Sequence, residues 1–230
     1  EITSNIGPSK EYDLASEDPE IRANGVKFLT DILRAMSKIG SKSLVGAMYS
    51  YWPCTDFKYD DKAGAWDRSI EAMKEVAKVA EELNIECCLE VLNRFETYIM
   101  TNCDEAIEYC KRVGSKNVNI LLDTFHMNIE EDDIEQSIEK AADHIGYFHV
   151  SEPNRKVPNT CAHINWKAIG KALKKTGYDG AVVLEPFYKF GGEQGHNMRM
   201  WRDLDKDLSM ENRLRIAAQG IEYIKTQFEE

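Results

Sequence analysis

The sequence has few of the features that mark membrane-spanning, nucleic-acid-binding or disulfide-stabilised proteins. No hydrophobic run approaches the roughly eighteen residues that a membrane-spanning helix needs, and the first residues do not have the pattern of a signal peptide. Basic residues are outnumbered, with 29 Lys and Arg against 40 Asp and Glu, and a net charge of −11 disfavours binding to a phosphate backbone. We therefore expect a cytoplasmic protein with neither a membrane nor a nucleic acid as partner.

Cysteine is present at 6 positions, but none of them forms a CxxC pair. This usage is typical of reduced thiols in a cytosolic protein. Cys161 lies in a polar segment and is the thiol expected to be the most reactive.

The chain alternates short apolar runs with longer amphipathic segments. Apolar runs predict strands at about residues 1–7, 43–49, 85–92, 117–123, 146–151 and 180–186. Helical periodicity predicts helices at about residues 19–38, 66–83, 104–113, 133–144, 166–175 and 209–228. Strands that alternate with helices predict the α/β class with a parallel sheet. No linker or low-complexity segment divides the chain, so we expect one domain over residues 1–230.

Four potential metal ligands stand at the ends of four successive predicted strands: Glu90, Asp123, His149 and Glu185. They are separated by intervals of roughly thirty residues, about one strand–helix unit. A single glutamate at a strand end is usually a solvated rim residue, but four such groups in succession favour a metal site. Three carboxylates and one imidazole suit Mn²⁺ or Mg²⁺ better than a structural zinc.

Convergent polar strand ends favour a TIM (β/α)8 barrel, in which active sites lie at the carboxyl ends of the strands. About six βα units are present in this chain, whereas the barrel has eight. We therefore expect a domain that lacks about two N-terminal βα units, with the first and last strands facing a gap. An open doubly wound sheet is the alternative.

Several segments resemble the D-tagatose and D-psicose (D-allulose) 3-epimerase family, within the xylose-isomerase-like TIM barrels. They are residues 46–53 (GAMYSYWP), 89–96 (LEVLNRFE), 122–132 (LDTFHMNIEED), 154–158 (NRKVP), 184–187 (LEPF) and 200–203 (MWRD). The resemblance implies a metal-dependent isomerase that interconverts D-psicose and D-fructose, or D-tagatose and D-sorbose. It implies proton removal and return at C3 through an enediolate. The cofactor is expected to be Mn²⁺, with Co²⁺ or Mg²⁺ as alternatives, and the assembly a homodimer or homotetramer.

The resemblance also implies roles for individual residues. Glu90, Asp123, His149 and Glu185 fall on the family's metal ligands, and Glu90 and Glu185 on its proton-transferring residues. The substrate-contacting positions fall on Trp52, Glu96, His126 and Arg155. Considered without the resemblance, His126 fits a core histidine equally well, and Arg155 fits a surface salt bridge.

The sequence departs from the family pattern near the expected site. Ser151 stands where the family commonly has glycine, the loop after Pro158 lacks the usual glycine-containing turn, and aromatic residues of the family's first strand are missing. These differences leave the four ligands unchanged. Alternative functions are an aldose–ketose isomerase or inosose-type dehydratase of the same superfamily, and a non-catalytic fragment. An apurinic-endonuclease-like phosphodiesterase is disfavoured by the 5 histidines and the acidic charge.

Overall fold

Six parallel β-strands form the central sheet of the computed structural model, which describes residues 2–54, 56, 61–159 and 163–229. The strands are β1 (Thr3–Ile6), β2 (Ser43–Gly46), β3 (Glu86–Glu90), β4 (Val118–Asp123), β5 (Ile145–Val150) and β6 (Val182–Leu184). Each strand pairs with the next in chain order, and every pair is parallel. A doubly wound sheet would reverse its strand order at a switch point. The barrel prediction is therefore confirmed, in the form of a half-barrel.

Helices connect the strands. They are α1 (Pro19–Ile39), α2 (Lys62–Leu83), α3 (Cys103–Val113), α4 (Thr124–Glu130), α5 (Ile134–Ala141), α6 (Trp166–Thr176), α7 (Gly192–Asn197) and α8 (Met210–Glu229). The predicted helices are confirmed, but the short helices α4 and α7 were not expected. Among the described residues, no helix is both long and apolar enough to cross a bilayer.

The boundaries of α1 follow from its local sequence. The Asp18 carboxylate accepts a hydrogen bond from the backbone N–H of Glu20 at 2.8 Å and caps the first turn. Pro19 suits the first helical position, since a backbone N–H would have no helical partner there. Gly40 ends the helix with a φ of 74°, a conformation that favours glycine.

Two apolar clusters cover the two faces of the sheet. The larger one lies between the sheet and the long helices. The smaller one lies on the other face and contains Val45, Cys88, Leu121 and Tyr147 from four neighbouring strands. Residues two positions further along a strand point to the same face, and Glu90, Asp123 and His149 occupy such positions. The candidate ligands therefore form the next layer above this interior cluster, at the carboxyl ends of the strands.

The two ends of the sheet are β1 and β6, as expected for six strands of a barrel. The cysteines within the described residues are free thiols and buried. Burial raises the pKa of Cys87 and of Cys103 to about 12, so these thiols are unreactive at neutral pH. Cys161 lies outside the described residues.

The acidic run at positions 130–133 takes part both in helix capping and in buried hydrogen bonds. Asp133 does cap α5, accepting from Gln136 N at 2.8 Å. Glu130, however, has a side chain only 6% exposed and binds the Arg94 guanidinium through two bonds of 2.9 Å. Glu131 accepts from Cys103 N at 2.7 Å and from a serine hydroxyl of α5. These carboxylates therefore join three segments around the carboxyl end of the sheet.

Asp13 provides a prediction about stability and pH. Its carboxylate is buried and accepts from Ala15 N at 2.9 Å, and burial raises its pKa from 3.8 to about 6. The stability that this proton gives is fully present below about pH 4 and is lost as the pH rises through 6. Asp13→Asn should therefore increase the free energy of unfolding at pH 8 by on the order of 2 kcal/mol. Denaturant titrations at pH 4 and pH 8 check this, and a gain of equal size at both would contradict it.

Candidate metal centre and substrate pocket

The four predicted ligands come together at one end of the half-barrel. Glu90 and Asp123 are the last residues of β3 and β4, His149 is the penultimate residue of β5, and Glu185 follows β6 directly. Asp123 and His149 are register partners on adjacent strands. One potential ligand atom from each of the four residues lies within 4.8 Å of all the others. The predicted convergence is confirmed.

The cluster is buried, and negative charge dominates it. Glu90, Asp123 and His149 are almost inaccessible to solvent, while the side chain of Glu185 is 20% exposed. Three carboxylates in so small a volume repel one another strongly, because little water screens them. Arg155 offsets part of this charge, since its Nη1 lies 2.6 Å from Asp123 Oδ2 and 2.7 Å from Glu185 Oε2.

The pKa values reflect this crowding. Burial and the neighbouring Glu90 carboxylate raise the pKa of Glu185 to about 7. Burial acts in the same direction on Asp123, but the Arg155 guanidinium holds the pKa of that carboxyl well below its usual range. Burial disfavours the charged form of His149, yet the Glu185 and Glu90 carboxylates raise its pKa to about 11. The carboxylates of the cluster therefore stabilise a positive charge placed beside them.

One atom of the cluster tests whether a metal ion fits. His149 Nδ1 is buried and has no hydrogen-bond partner, although buried polar atoms normally have one. It lies 3.6 Å from Glu90 Oε1 and 3.6 Å from Glu185 Oε2. This imidazole nitrogen and the carboxylate oxygens that it faces together form a set of ligand atoms suited to a divalent ion. The four candidate ligands therefore fit the expected metal, and together they could bind a divalent cation.

A cavity of about 470 Å³ opens beside the cluster. Two of the candidate ligands, Glu90 and Glu185, line it. All of the predicted substrate-contacting residues line it too: Trp52, Glu96, His126 and Arg155. His126 is therefore not an isolated core histidine, and Arg155 is not a surface residue. The sequence did not single out other lining residues, among them Asn5, Phe187, Gln194 and Met198.

Hydrogen bonds fix the groups that face this cavity. Glu96 Oε2 accepts from Trp52 Nε1 at 2.9 Å, and Glu96 Oε1 accepts from Asn93 Nδ2 at 3.0 Å. Asn93 also bonds to Nδ1 of His126. Sequence reasoning did not single out Asn93, although a polar residue directly after the apolar pair Val91 and Leu92 was a usable signal.

Arg155 is held from several directions. Its Cζ lies 3.9 Å from the ring centroid of Phe125 and 5.1 Å from that of Phe187, so two aromatic rings flank the guanidinium. Its backbone has a φ of 62°, a left-handed conformation that is uncommon for residues other than glycine. Its N–H donates to Glu152 O at 2.8 Å, and Phe187 N donates to its carbonyl at 2.9 Å. The loop therefore directs the guanidinium into the site.

Ser151, one of the departures from the family pattern, directly follows β5. It is fully buried, and its backbone N–H and carbonyl both bond to the hydroxyl of Thr124, at 3.0 and 2.8 Å. These bonds tie the end of β5 to the start of α4. A second departure, the loop after Pro158, includes positions 160–162, which lie outside the described residues.

The fold is a parallel half-barrel of the α/β class. Buried acidic residues and a histidine at the carboxyl ends of its strands form a candidate metal centre. A sequence model of the xylose isomerase-like TIM barrel matches residues 1–226. The chain therefore belongs to the xylose isomerase-like TIM barrel family.

Several proteins and solved structures that are similar to this chain are epimerases. The chain is 48% identical over 203 residues to a D-psicose 3-epimerase of Ruminiclostridium cellulolyticum, a match that covers 88% of this chain and 69% of the relative. It is 40% identical over 227 residues to a D-psicose 3-epimerase of Enterocloster bolteae, with 99% and 75% covered. The crystal structure of D-psicose 3-epimerase with D-tagatose from Clostridium cellulolyticum H10 superposes with a TM-score of 0.95 at 44% identity, and 98% of this chain and 78% of that one are covered.

Proposed function

We propose that this protein is a metal-dependent ketose 3-epimerase that interconverts D-psicose and D-fructose. D-tagatose and D-sorbose are proposed as a second pair of substrates. One observation carries the proposal. Glu90 and Glu185, which belong to the cation-attracting cluster, also line a cavity whose other polar groups suit a sugar. The identity of 48% to a D-psicose 3-epimerase favours C3 of a ketose as the reacting centre.

The metal is proposed to be Mn²⁺, with Co²⁺ or Mg²⁺ as substitutes, held by Glu90, Asp123, His149 and Glu185. A divalent ion at this position supplies Lewis acidity that favours loss of the proton next to the C2 carbonyl. The oxygen-rich set of donors supports this choice of metal.

The two glutamates are proposed to move the proton at C3. Glu90 ends β3 and Glu185 follows β6, three strands further along the sheet, so they can approach a bound sugar from different sides. One carboxylate removes the proton from C3, and the other returns a proton to the opposite face, which inverts the configuration.

The remaining groups of the cavity are proposed to position the sugar. Glu96, His126 and Arg155 present polar atoms to hydroxyl groups, and Trp52 provides an apolar wall. Such a mixture of an aromatic surface and a few fixed polar groups is typical of small-molecule sites. A homo-oligomer and a cytoplasmic location remain predictions; light scattering on the purified protein tests the first.

Product analysis tests the proposed function. The Mn²⁺-loaded protein is incubated with D-fructose, D-psicose or D-tagatose, and the products are separated by chromatography. We expect the C3 epimer of each sugar. The control variant Glu108→Gln, which changes an exposed glutamate of α3, should leave the rate unchanged. An aldose or a dehydrated product would indicate the isomerase or dehydratase alternative, and no product from any of the three ketoses would contradict the proposal.

Trp52 gives a prediction about substrate affinity. Its ring lies against Gly7, where an added Cβ would be 3.0 Å from Trp52 Cε3, and its Nε1 donates to Glu96. Trp52→Ala should raise KM by about tenfold, a loss of about 1.4 kcal/mol, because the wall and the bond to Glu96 are both removed. Trp52→Phe, which keeps a ring, should have a smaller effect. Steady-state kinetics and metal analysis check this; unchanged KM for the alanine variant would assign Trp52 to packing alone.

A further inference from the structure

Asn93 connects two groups that face the cavity. It follows β3 in the segment 91–93, and its side chain is 2% exposed. Its Nδ2 lies 3.0 Å from Glu96 Oε1 and 2.8 Å from His126 Nδ1, and its backbone N–H donates to the same Nδ1 at 3.1 Å. One buried amide thus contacts two proposed substrate-binding residues.

The orientation of the Asn93 amide follows from its partners. Its Oδ1 accepts from the backbone N–H of Phe95 at 2.9 Å, and a backbone N–H can only donate. The opposite end of the amide faces the Glu96 carboxylate, which accepts. Both contacts require the oxygen toward Phe95 and the NH₂ group toward Glu96 and His126.

This orientation determines where the proton of His126 resides. Two N–H groups of Asn93 point at Nδ1, so Nδ1 must present its lone pair, and in a neutral imidazole the proton is then on Nε2. Nε2 lies 3.1 Å from Nη2 of Arg155 and 3.7 Å from Oε1 of Glu90. A guanidinium has no acceptor. The contact with Nη2 therefore sets one donor against Nε2–H, whereas a proton on Nδ1 would face two donors. The Nε2–H form has fewer such contacts, and one acceptor oxygen close to both Nε2 and Nη2 would satisfy both donors.

We propose that Asn93 is a positioning residue that fixes His126 as an Nε2–H donor and holds the Glu96 carboxylate beside it. The inference rests on the proposed function, in which these groups bind ketose oxygens. His126 then acts only as a donor, paired with Arg155 on one substrate oxygen, and Glu96 only as an acceptor. Asn93 itself is not among the residues that line the cavity, so it acts through its two neighbours.

The tautomer of His126 can be measured without any assay of activity. The protein is labelled with ¹⁵N-histidine and loaded with Mg²⁺, which is diamagnetic, and two-bond ¹H–¹⁵N correlations are recorded. The chain has 5 histidines, and the spectrum of His126→Gln identifies the signals of His126. We expect the Nε2–H pattern in the unaltered protein. A proton on Nδ1 of His126 would overturn the proposal, whatever the activity.

Asn93→Asp reverses the polarity of the contact with almost no change in shape. Its Oδ1 still accepts from Phe95 N, but an oxygen replaces Nδ2 against Glu96 Oε1 and His126 Nδ1. We expect a changed His126 spectrum, unchanged metal content and a decrease in kcat/KM of about 10- to 100-fold, as for groups that orient functional residues.

Asn117→Asp is the matched control. It also removes an Nδ2 donor, here to Ile85 O at 2.9 Å, but at the opposite end of β4. It should change neither the His126 spectrum nor kcat/KM. Equal losses in both variants would show that Asn93 has only a structural role, and an unchanged spectrum in Asn93→Asp would also overturn the proposal. An Nε2–H pattern in a protein without epimerase activity would contradict the proposed function and leave the role of Asn93 supported.

Discussion

Replacing Glu90 or Glu185 with glutamine is expected to reduce kcat/KM for C3 epimerisation by about 10²- to 10⁴-fold. Glutamine keeps an oxygen that can coordinate an ion, but it cannot accept a proton from carbon. Each glutamate lines the cavity and belongs to the buried cluster, so each variant removes one of the two proposed bases. Steady-state kinetics with D-psicose and with D-fructose measure the loss.

Metal analysis of the same variants separates proton transfer from metal binding. A variant that keeps its ion and loses turnover supports the role as a base, whereas loss of both shows that the residue is needed to bind the metal. Glu108→Gln, at an exposed position, controls for the removal of one charge. Activity within a few-fold of the unaltered enzyme in either Glu90→Gln or Glu185→Gln would contradict the two-base mechanism.

Removing the metal, or one of its ligands, is expected to have the second large effect. Chelation should abolish epimerisation, and added Mn²⁺ should restore it, because the ion is proposed to favour deprotonation. His149→Ala removes a buried nitrogen that faces two carboxylates, so this variant should be purified with little bound metal.

Thermal unfolding gives a readout that does not depend on turnover. A ligand present at about 100 times its Kd stabilises the folded state by about 2.7 kcal/mol. Mn²⁺ should therefore raise the Tm of the unaltered protein but not that of His149→Ala. His144→Ala, a histidine in a short 3₁₀ turn at Ala142–His144, is the matched control. Equal metal content and equal Tm shifts in the His149 and His144 variants would exclude the proposed centre.

The sequence predicted the candidate ligands because all four stand where apolar strand runs end. Parallel strands in chain order bring such ends to one side of the sheet, and the structure places Glu90, Asp123, His149 and Glu185 within 4.8 Å. The prediction needed only the strand positions and the rule that the carboxyl ends of parallel strands in a barrel meet at one side. Errors of one or two residues at the strand boundaries did not affect it.

The short helices could not be predicted in the same way. Helix α4 has 7 residues and begins directly after β4, where the Asp123 carboxylate accepts from Phe125 N at 2.8 Å. Helix α7 has 6 residues, including two glycines. Neither is long enough to show a helical repeat of apolar residues, so both depend on tertiary contacts.

Side-chain networks were also beyond sequence reasoning. The bonds from Asn93 to His126 and from Arg94 to Glu130 connect residues more than thirty positions apart. Phe125 and Phe187 flank Arg155 only because β4 and β6 bring them to the same end of the sheet. Such contacts depend on the register and spacing of the strands, which composition and periodicity do not specify.

Epimerisation in D₂O tests the central claim most directly. The Mn²⁺-loaded protein is incubated with D-fructose, and the D-psicose formed is examined by ¹H and ²H NMR. Proton removal and return by Glu90 and Glu185 predicts that deuterium from the solvent appears at C3 of the product and at no other carbon. D-psicose that keeps the original hydrogen at C3, or that carries deuterium at C1, would contradict the mechanism.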